Sequence, residues 1–160
     1  MVYEDTEILL KDGRKALLRS PCEDDAEEML RFIKKASGET DFLLKYPEEF
    51  STFTLEQEKA FIRGDYDNPN GMMIACIVDG KIAGNCQIAF RTGMKDCHRA
   101  SVAIALLQDY WNLGIGTRMF EELFRAARAR DESVRSSWTL SKGTAAQGGC
   151  TRKWGSVSQV

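Results

Sequence analysis

Residues 98–128, HRASVAIALLQDYWNLGIGTRMFEELFRAAR, carry the clearest structural pattern in the chain. Residues 100–107 are small, β-branched or apolar and uncharged, which predicts a strand at the centre of a sheet and buried on both faces. A turn containing two glycines follows. After it, apolar side chains recur at the spacing of an amphipathic helix, namely Met119, Phe120, Leu123, Phe124 and Ala127. We therefore predict a buried strand, a glycine loop and a helix in direct succession.

The junction between the loop and the helix favours anion binding. Free N–H groups at a helix start point outward, the helix dipole adds partial positive charge, and glycines let a bulky anion approach the backbone. The loop lacks the Lys-Ser/Thr pair of a P-loop and the third glycine of a dinucleotide fingerprint. A tight turn before a core helix is the alternative interpretation.

The phrase AIALLQDYWNLGIGTRMFEEL, residues 103–123, resembles motif A of the GCN5-related N-acetyltransferases, the GNAT family. The family signature is Arg/Gln-x-x-Gly-x-Gly/Ala after a central strand. Here Trp111 stands in place of the Arg or Gln, and Gly114 and Gly116 match the two small residues. The resemblance implies an α/β fold of the layered α+β kind, with a mixed, mostly antiparallel sheet flanked by helices.

The same resemblance implies a binding site for acetyl-CoA as co-substrate. The pyrophosphate of CoA would be held by backbone N–H groups from Asn112, Leu113, Gly114, Ile115, Gly116 and Thr117. The backbone near Leu106 would pair with the pantetheine arm like an added strand, and the N–H of Leu106 or its neighbour would polarise the thioester carbonyl.

Composition limits the classes of protein to which the chain can belong. Its 160 residues suit one domain, and a net charge of -2 argues against nucleic-acid and membrane-surface partners, which need a basic footprint. The N-terminus is acidic and no apolar run could span a bilayer, so we expect a cytoplasmic protein. Five scattered cysteines without a CxxC pair argue against a metal site or a disulfide scaffold.

Turn and cap signals divide residues 1–98 into elements. Asp12-Gly13 and Asp79-Gly80 each separate two apolar runs and predict β-hairpins. Ser20, followed by proline, predicts the N-cap of a first helix, and the capping box from Thr54 predicts a second that ends at Arg63-Gly64. Residues 39–53 are interpreted either as an irregular loop pinned by aromatic side chains or as a substrate-side segment.

The composition changes after residue 130, which divides the chain into a GNAT-like acetyl-CoA-binding domain, 1–130, and an atypical polar tail, 131–160. The coding DNA of residues 138–159 can also be read in another frame, in which each codon starts on the third base of a codon used here and spans two neighbouring residues. With permitted codon choices, that frame could encode DFVKGNSRARGLYEKMGFRQP. That string resembles the C-terminal GNAT motif, Asn-x-x-Ala-x-x-x-Tyr-x-x-x-Gly-Phe. Our hypothesis is that the tail is out of frame, so that the strand, helix and hairpin expected there are atypical or missing. The alternative is a natural polar tail.

An out-of-frame tail would remove one group that the family uses. In many GNAT proteins the tyrosine of the C-terminal motif protonates the departing CoA thiolate, and its codon would here straddle Cys150 and Thr151. The missing strand and helix would leave an apolar face exposed. We therefore expect a homodimer, poor solubility, or cover supplied by the tail.

Few side chains suit proton transfer. Ser101 stands where family members often have a strand glutamate. His98, the only histidine, is a candidate catalytic group because histidine is the residue type suited to proton transfer near neutral pH, although a surface position is the alternative. Cys97 adjoins it, but neighbouring strand residues point to opposite faces and cannot easily bond. Tyr110 and Trp111 are expected either to line the cleft or to pack in the core.

Three functions are compatible with these patterns. The first is transfer of an acetyl group from acetyl-CoA to a primary amine of a small molecule or protein, which this chain would perform with impaired efficiency if its tail is out of frame. The alternative is a non-catalytic acyl-CoA-binding or interaction module. A nucleotide-binding protein is disfavoured by the hairpin before the loop and by the missing lysine.

Overall fold

The computed structural model describes residues 1–39, 53–92 and 100–130 of the chain. Their elements, in chain order, are β1 (Thr6–Leu9), β2 (Lys15–Arg19), α1 (Ala26–Glu39), α2 (Leu55–Asp67), β3 (Gly71–Val78), β4 (Lys81–Phe90), β5 (Ala100–Leu106) and α3 (Ile115–Arg130). The five strands form one antiparallel sheet in the order β1-β2-β3-β4-β5. The predicted class, an α/β fold with a mostly antiparallel sheet flanked by helices, is confirmed.

Both predicted hairpins form. In the first, Gly13 adopts a φ of 87° and donates to the carbonyl of Leu10 at 3.0 Å. In the second, Asp79 and Gly80 have φ values of 51° and 77°. Two consecutive left-handed residues are typical of a type I′ turn, whose twist matches that of the strands it joins. The Asp-Gly signal therefore located both turns.

The prediction that β5 is buried on both faces was wrong. Burial alternates along the strand: Ser101 and Ala103 are exposed, whereas Val102 and Ile104 are buried. β5 is the last of the described strands, and its predicted place at the sheet centre depends on residues 131–160, which lie outside the described ranges, so that part stays a prediction. Alanine caused the error in burial, because its small side chain tolerates either environment and hides the period-two pattern.

Helix α2 begins as predicted and ends later. The Thr54 hydroxyl accepts from the N–H of Gln57 at 3.3 Å, and the Gln57 side chain accepts from the N–H of Thr54 at 2.9 Å. This reciprocal capping box satisfies two N–H groups that no helical carbonyl can reach. The helix continues through Gly64 to Asp67, so the predicted end at Arg63-Gly64 was too early.

The start of α1 also differs from the prediction. Ser20 does not cap it; its hydroxyl accepts from the N–H of Tyr3 and donates to the carbonyl of Met73 at 3.1 Å. A 3-10 turn over residues 23–25 precedes α1, and the Asp25 carboxylate accepts from the N–H of Cys22 at 2.8 Å. Asp25 also receives two bonds from the Arg19 guanidinium, at 2.7 and 2.8 Å. Ser20 thus links β2 to the chain's first residues and to β3.

The sheet separates two apolar clusters. On one face, α3 contributes Ile115, Met119 and Leu123, all 0% exposed, to a cluster shared with every strand. On the other face, a cluster forms between the sheet, α1 and α2, and it includes Met29, Phe32, Ile62, Met73 and Ala75. None of the described helices is long and apolar enough to span a bilayer.

Candidate functional site

The end of β5 presents the backbone of Leu106 to one side of the sheet. Leu107 donates its N–H to the carbonyl of Ala83 in β4 at 3.0 Å. Neighbouring residues in an antiparallel ladder point their backbone groups in opposite directions, so the N–H and carbonyl of Leu106 face away from β4. This N–H has no hydrogen-bond partner within the described ranges. The structure therefore leaves the predicted carbonyl-polarising group available.

Trp111 fastens the glycine loop to this end of β5. Its indole N–H donates to the carbonyl of Leu106 at 2.9 Å, and its backbone N–H donates to Gln108 at 3.0 Å. Trp111 and Tyr110 are half-buried and pack against the core. The indole takes one of the two lone pairs on the Leu106 carbonyl and leaves the N–H of that residue untouched.

The glycine loop turns the chain so that several N–H groups are left without partners. Asn112 and Gly114 have φ values of 62° and 87°, and α3 begins at the next residue, Ile115. Arg118 donates to the carbonyl of Gly114 at 3.1 Å, the first hydrogen bond of the helix. In the part of the chain that the structure describes, the N–H groups of residues 112–116 bond to nothing. Thr117 is the third residue of α3.

Lys11 brings a positive charge to the same loop. Its N–H donates to the carbonyl of Leu113 at 3.2 Å, and a Cβ added at Gly114 would lie 3.7 Å from Cε and 3.9 Å from Cγ of Lys11. The side chain is exposed, and no described acidic residue forms an ion pair with it. Lys11 is far from the loop in sequence, and only the pairing of the hairpin with the loop brings them together.

The acidic residues near Lys11, namely Asp12 and Asp79, form ion pairs with Arg14. Asp12 lies 2.7 Å from the Arg14 guanidinium, and Asp79 lies 3.4 Å from it. Hydrogen bonds from the backbone N–H and then the guanidinium of Arg14 lower the pKa of Asp12. Arg14 also lies over the ring of Tyr110, 5.5 Å from its centroid. The loop region therefore combines partnerless N–H groups with the cation of Lys11, which suits a phosphate group.

The opposite face of the sheet carries buried polar groups under α1 and α2. Asp65 on α2 is 8% exposed and accepts from the Gln87 amide at 2.7 Å. Burial raises the pKa of Asp65, while the Gln87 bond and the N-terminal ammonium oppose that rise. Glu58 on the same helix is 3% exposed, and its Oε1 has no partner. Side-chain oxygens of Ser37 and Asn85 are likewise buried and unpartnered.

The sequence patterns did not single out Glu58. A signal was present, because Glu58 precedes the core residue Ile62 by one helical turn, and a charge at a core-facing position is unusual. Ser101, which stands where the family resemblance implies a glutamate, is exposed on β5. His98, the predicted catalytic histidine, lies outside the described residues, as do Cys97 and the tail 131–160.

The described cysteines do not resemble nucleophiles. Cys76 and Cys86 are buried free thiols. Burial raises the pKa of Cys76 to about 12 and raises that of Cys86, so both stay neutral at pH 7. Cys22 is exposed and hydrogen-bonds Asp25 at 3.3 Å.

Comparisons with known proteins are consistent with this geometry. The family model described as the acetyltransferase (GNAT) family matches residues 37–151. The acetyltransferase of the GNAT family from Streptococcus pneumoniae is 28% identical with a TM-score of 0.66, over 71% of this chain and 67% of that one. No curated protein sequence matches the chain.

Two further solved structures share the fold. Ribosomal-protein-alanine N-acetyltransferase from Brucella melitensis is 20% identical with a TM-score of 0.66, over 86% of this chain and 82% of that one. PaiA N-acetyltransferase from Thermoplasma acidophilum, solved in complex with coenzyme A, is 13% identical with a TM-score of 0.59, over 72% and 73% of the two chains. Because the family model covers more than half of the sequence, this chain belongs to the GNAT acetyltransferase family.

Proposed function

We propose that this N-acetyltransferase takes its acetyl group from acetyl-CoA and transfers it to a primary amine of a small molecule or protein. The observation that carries the proposal is the set of N–H groups at residues 112–116 that have no partner in the described ranges, together with the N–H of Leu106, which faces away from β4. The coenzyme A complex of the Thermoplasma relative supports this donor. The cytoplasmic location and the homodimer stay predictions.

The loop and Lys11 would bind the phosphate end of acetyl-CoA. A pyrophosphate has more oxygen acceptors than one N–H can satisfy, and residues 112–116 offer several donors in succession. The dipole of α3 and the charge of Lys11 add electrostatic attraction. Gly114 suits its position because its φ of 87° is strained for any residue with a side chain.

The N–H of Leu106 would act at the other end of the donor. A backbone N–H aimed at the thioester oxygen stabilises the negative charge that develops there when the amine attacks. The antiparallel bond between Leu107 and Ala83 fixes the direction of this N–H. The pantetheine arm would lie along the same edge of β5, paired like an added strand.

A non-catalytic acyl-CoA-binding module is the second candidate. One sequence observation favours it: Cys150 and Thr151 stand where a frame change would place the tyrosine that many family members use as an acid. Sequencing the coding DNA tests the frame change, because codons that forbid the shifted string would exclude it. Release of CoA thiol in the presence of an amine distinguishes the enzyme from the module.

The donor site is tested by a matched pair of glycine substitutions. Gly114→Ala forces a side chain into a left-handed position, whereas Gly64→Ala lies inside α2 with open space around it. We expect Gly114→Ala to weaken acetyl-CoA binding about tenfold in isothermal titration and Gly64→Ala to leave it unchanged. Equal affinities in both variants, or no binding by the parent chain, would contradict the proposal.

A further inference from the structure

Glu58 is an exception among the carboxylates of the described residues. It is 3% exposed, and its Oε1 bonds to nothing. Buried carboxylates are normally paired or hydrogen-bonded, because transferring one from water without a partner costs several kcal/mol. Asp65, on the same side of α2, follows that rule through Gln87. An unpartnered carboxylate in the interior suggests a ligand that supplies the missing donor.

The direction of α2 shows where Glu58 lies along the sheet. The helix ends at Asp67 and β3 begins at Gly71, so the chain reverses and α2 runs against β3. The carboxylate of Asp65 is 3.3 Å from where a Cβ of Gly71 would be, which puts Asp65 at the beginning of β3. Residues earlier in α2 therefore lie further along β3.

The register of the strands then relates Glu58 to Leu106. Gln87, the partner of Asp65, pairs with Ala103 of β5. From Asp65 to Glu58 is about two helical turns, or about 10 Å. From Ala103 to Leu106 is also about 10 Å along the strand. Glu58 thus lies at the level of Leu106, the residue proposed to bind the thioester carbonyl.

Other unpartnered atoms surround the same apolar cluster. Ser37 Oγ on α1 and Asn85 Oδ1 on β4 are buried without hydrogen-bond partners. The residues paired with Asn85, namely Ala75 and Ala105, belong to or contact the cluster that α1 and α2 cover. A primary ammonium group donates up to three hydrogen bonds and would suit such acceptors.

We propose that Glu58 binds the acceptor ammonium group and acts as the general base that deprotonates it. The proposal rests on the acetyl transfer proposed above and names the residue that accepts the proton. It also makes the acceptor a cation in its bound form. Ser101 cannot fill this role, because a serine hydroxyl is not basic at neutral pH.

The proton and electron balance of the step is complete. Glu58 takes one proton from the ammonium, and the nitrogen lone pair then forms a C–N bond with the thioester carbonyl carbon. The C–S bond breaks, and its electrons leave on the sulfur. The sulfur becomes a thiol by gaining the second proton that the nitrogen loses, and Glu58 returns its proton to water. Acetyl-CoA and the ammonium thus give amide, CoA and one proton.

The surroundings of Glu58 suit this role. Burial raises the pKa of Glu58, and no charged group of the described residues contributes to the shift. A base whose pKa lies nearer the working pH transfers protons more effectively. The ionisable residues of β3 and β4 are Cys76 and Cys86, which are buried and neutral at pH 7, and Lys81, which is exposed at the turn between the two strands. Nearby cations on the helices pair elsewhere, namely Lys59 with Glu56, Arg63 with Glu23, and Lys35 with Asp109.

The test compares Glu58→Gln with Glu56→Gln, an exposed glutamate one half-turn earlier in α2. The acceptors are a polyamine, an aminoglycoside, an amino acid and a peptide with a free α-amine. We expect Glu58→Gln to lower kcat/KM at pH 7 at least 100-fold, with the rate rising tenfold per pH unit as the free amine forms. Acetyl-CoA affinity, measured by titration, should change less than twofold in both variants.

Amine binding gives a second readout that needs no turnover. We expect the parent chain to bind an amine of the panel in isothermal titration, and Glu58→Gln to lose at least tenfold in affinity. Unchanged amine binding, an unchanged pH profile, or an acetyl-CoA-binding chain that takes no amine of the panel would overturn the role of Glu58. Failure of the parent chain to bind acetyl-CoA would overturn the proposed donor instead.

Discussion

The glycine loop and the buried face of α2 offer opposite hydrogen-bonding groups. Among the described residues, the loop leaves backbone N–H donors free at 112–116, whereas α2 buries side-chain acceptors at Glu58 and Asp65. Backbone donors follow from local chain conformation, so a short motif reveals them. Side-chain acceptors become a site only when helices and strands pack together. The proposed donor site was therefore predicted from a short motif, whereas the buried acceptors of α2 were not predicted.

Within α2 the two buried carboxylates also differ. Asp65 receives a hydrogen bond from Gln87, and the positive charge of the N-terminal ammonium opposes the rise of its pKa. That ammonium donates to the carbonyl of Gly71 at 2.6 Å. In the described part of the chain, Oε1 of Glu58 has no hydrogen-bond partner, and burial alone raises the pKa of this carboxyl. A structural carboxylate receives its hydrogen bonds from the protein itself, whereas a functional carboxylate receives them from the substrate. Substitutions at these positions should therefore have opposite effects on stability.

The largest effect is expected for Glu58→Leu. Removing a buried, partnerless carboxyl should raise the free energy of unfolding by about 2 kcal/mol at pH 8. Because burial raises the folded-state pKa above 4.5, the parent chain loses stability as the pH rises from 4.5 through that folded pKa. The difference in free energy of unfolding between Glu58→Leu and the parent chain should consequently become smaller toward pH 4. Urea unfolding from pH 4 to 8 measures it, with Glu56→Leu as a control expected to stay within about 0.5 kcal/mol.

Gln87→Leu should lower the free energy of unfolding, by somewhat less than Glu58→Leu raises it. It removes the donor to Asp65 and leaves a buried carboxylate without its hydrogen bond, which costs about 1.5 kcal/mol. The double variant with Asp65→Leu should recover most of the loss, because no polar group then remains unpaired. Additive losses in this double-mutant cycle, measured by urea unfolding, would show that the two side chains do not interact.

Lys11→Met tests the positive charge beside the loop. Loss of a cation near bound phosphate should weaken acetyl-CoA binding about fivefold, or about 1 kcal/mol, and make the affinity less dependent on salt. Lys15→Met is the matched control on the same hairpin, where the lysine lies 3.3 Å from Glu7 and away from the loop. Equal effects of the two substitutions in isothermal titration would remove Lys11 from the site.

Of the four substitutions, Trp111→Phe should change its measured free energy least. The ring keeps most of its packing, but the indole N–H no longer donates to the carbonyl of Leu106. We expect a loss of about 0.5 kcal/mol in the free energy of unfolding, since a net hydrogen bond contributes little more. A loss above about 2 kcal/mol in thermal or urea unfolding would mean that the packing of Trp111 matters more than its hydrogen bond.

Local signals predicted most of the described fold. The Asp-Gly pairs located both hairpins, and the Thr54 capping box located the start of α2, because each depends on a few adjacent residues. The burial of β5 was predicted wrongly because alanines do not reveal which face of a strand is exposed. Ser20 was misread as a cap because its hydroxyl bonds Tyr3 and Met73 instead, and no local pattern encodes those distant partners.

The residues of the candidate site also fall into a group that was predicted from the sequence and a group that was not. The loop and Leu106 were predicted from a contiguous motif, and the structure leaves their N–H groups free within the described ranges. Lys11 was missed because it meets the loop only through the packing of the first hairpin against it. Glu58 was missed although its charge at a core-facing position of α2 was a local signal. The role of His98 and the interpretation of the tail 131–160 stay predictions.

Backbone amide NMR of the nitrogen-15-labelled chain during titration with acetyl-CoA tests the central claim most directly. The largest shift changes should fall on the amides of Leu106 and residues 112–116. The amide of Leu107 should move little, because it already donates to Ala83. Saturable changes confined to other parts of the chain, with residues 112–116 unmoved, would contradict the assignment of the glycine loop as the donor site.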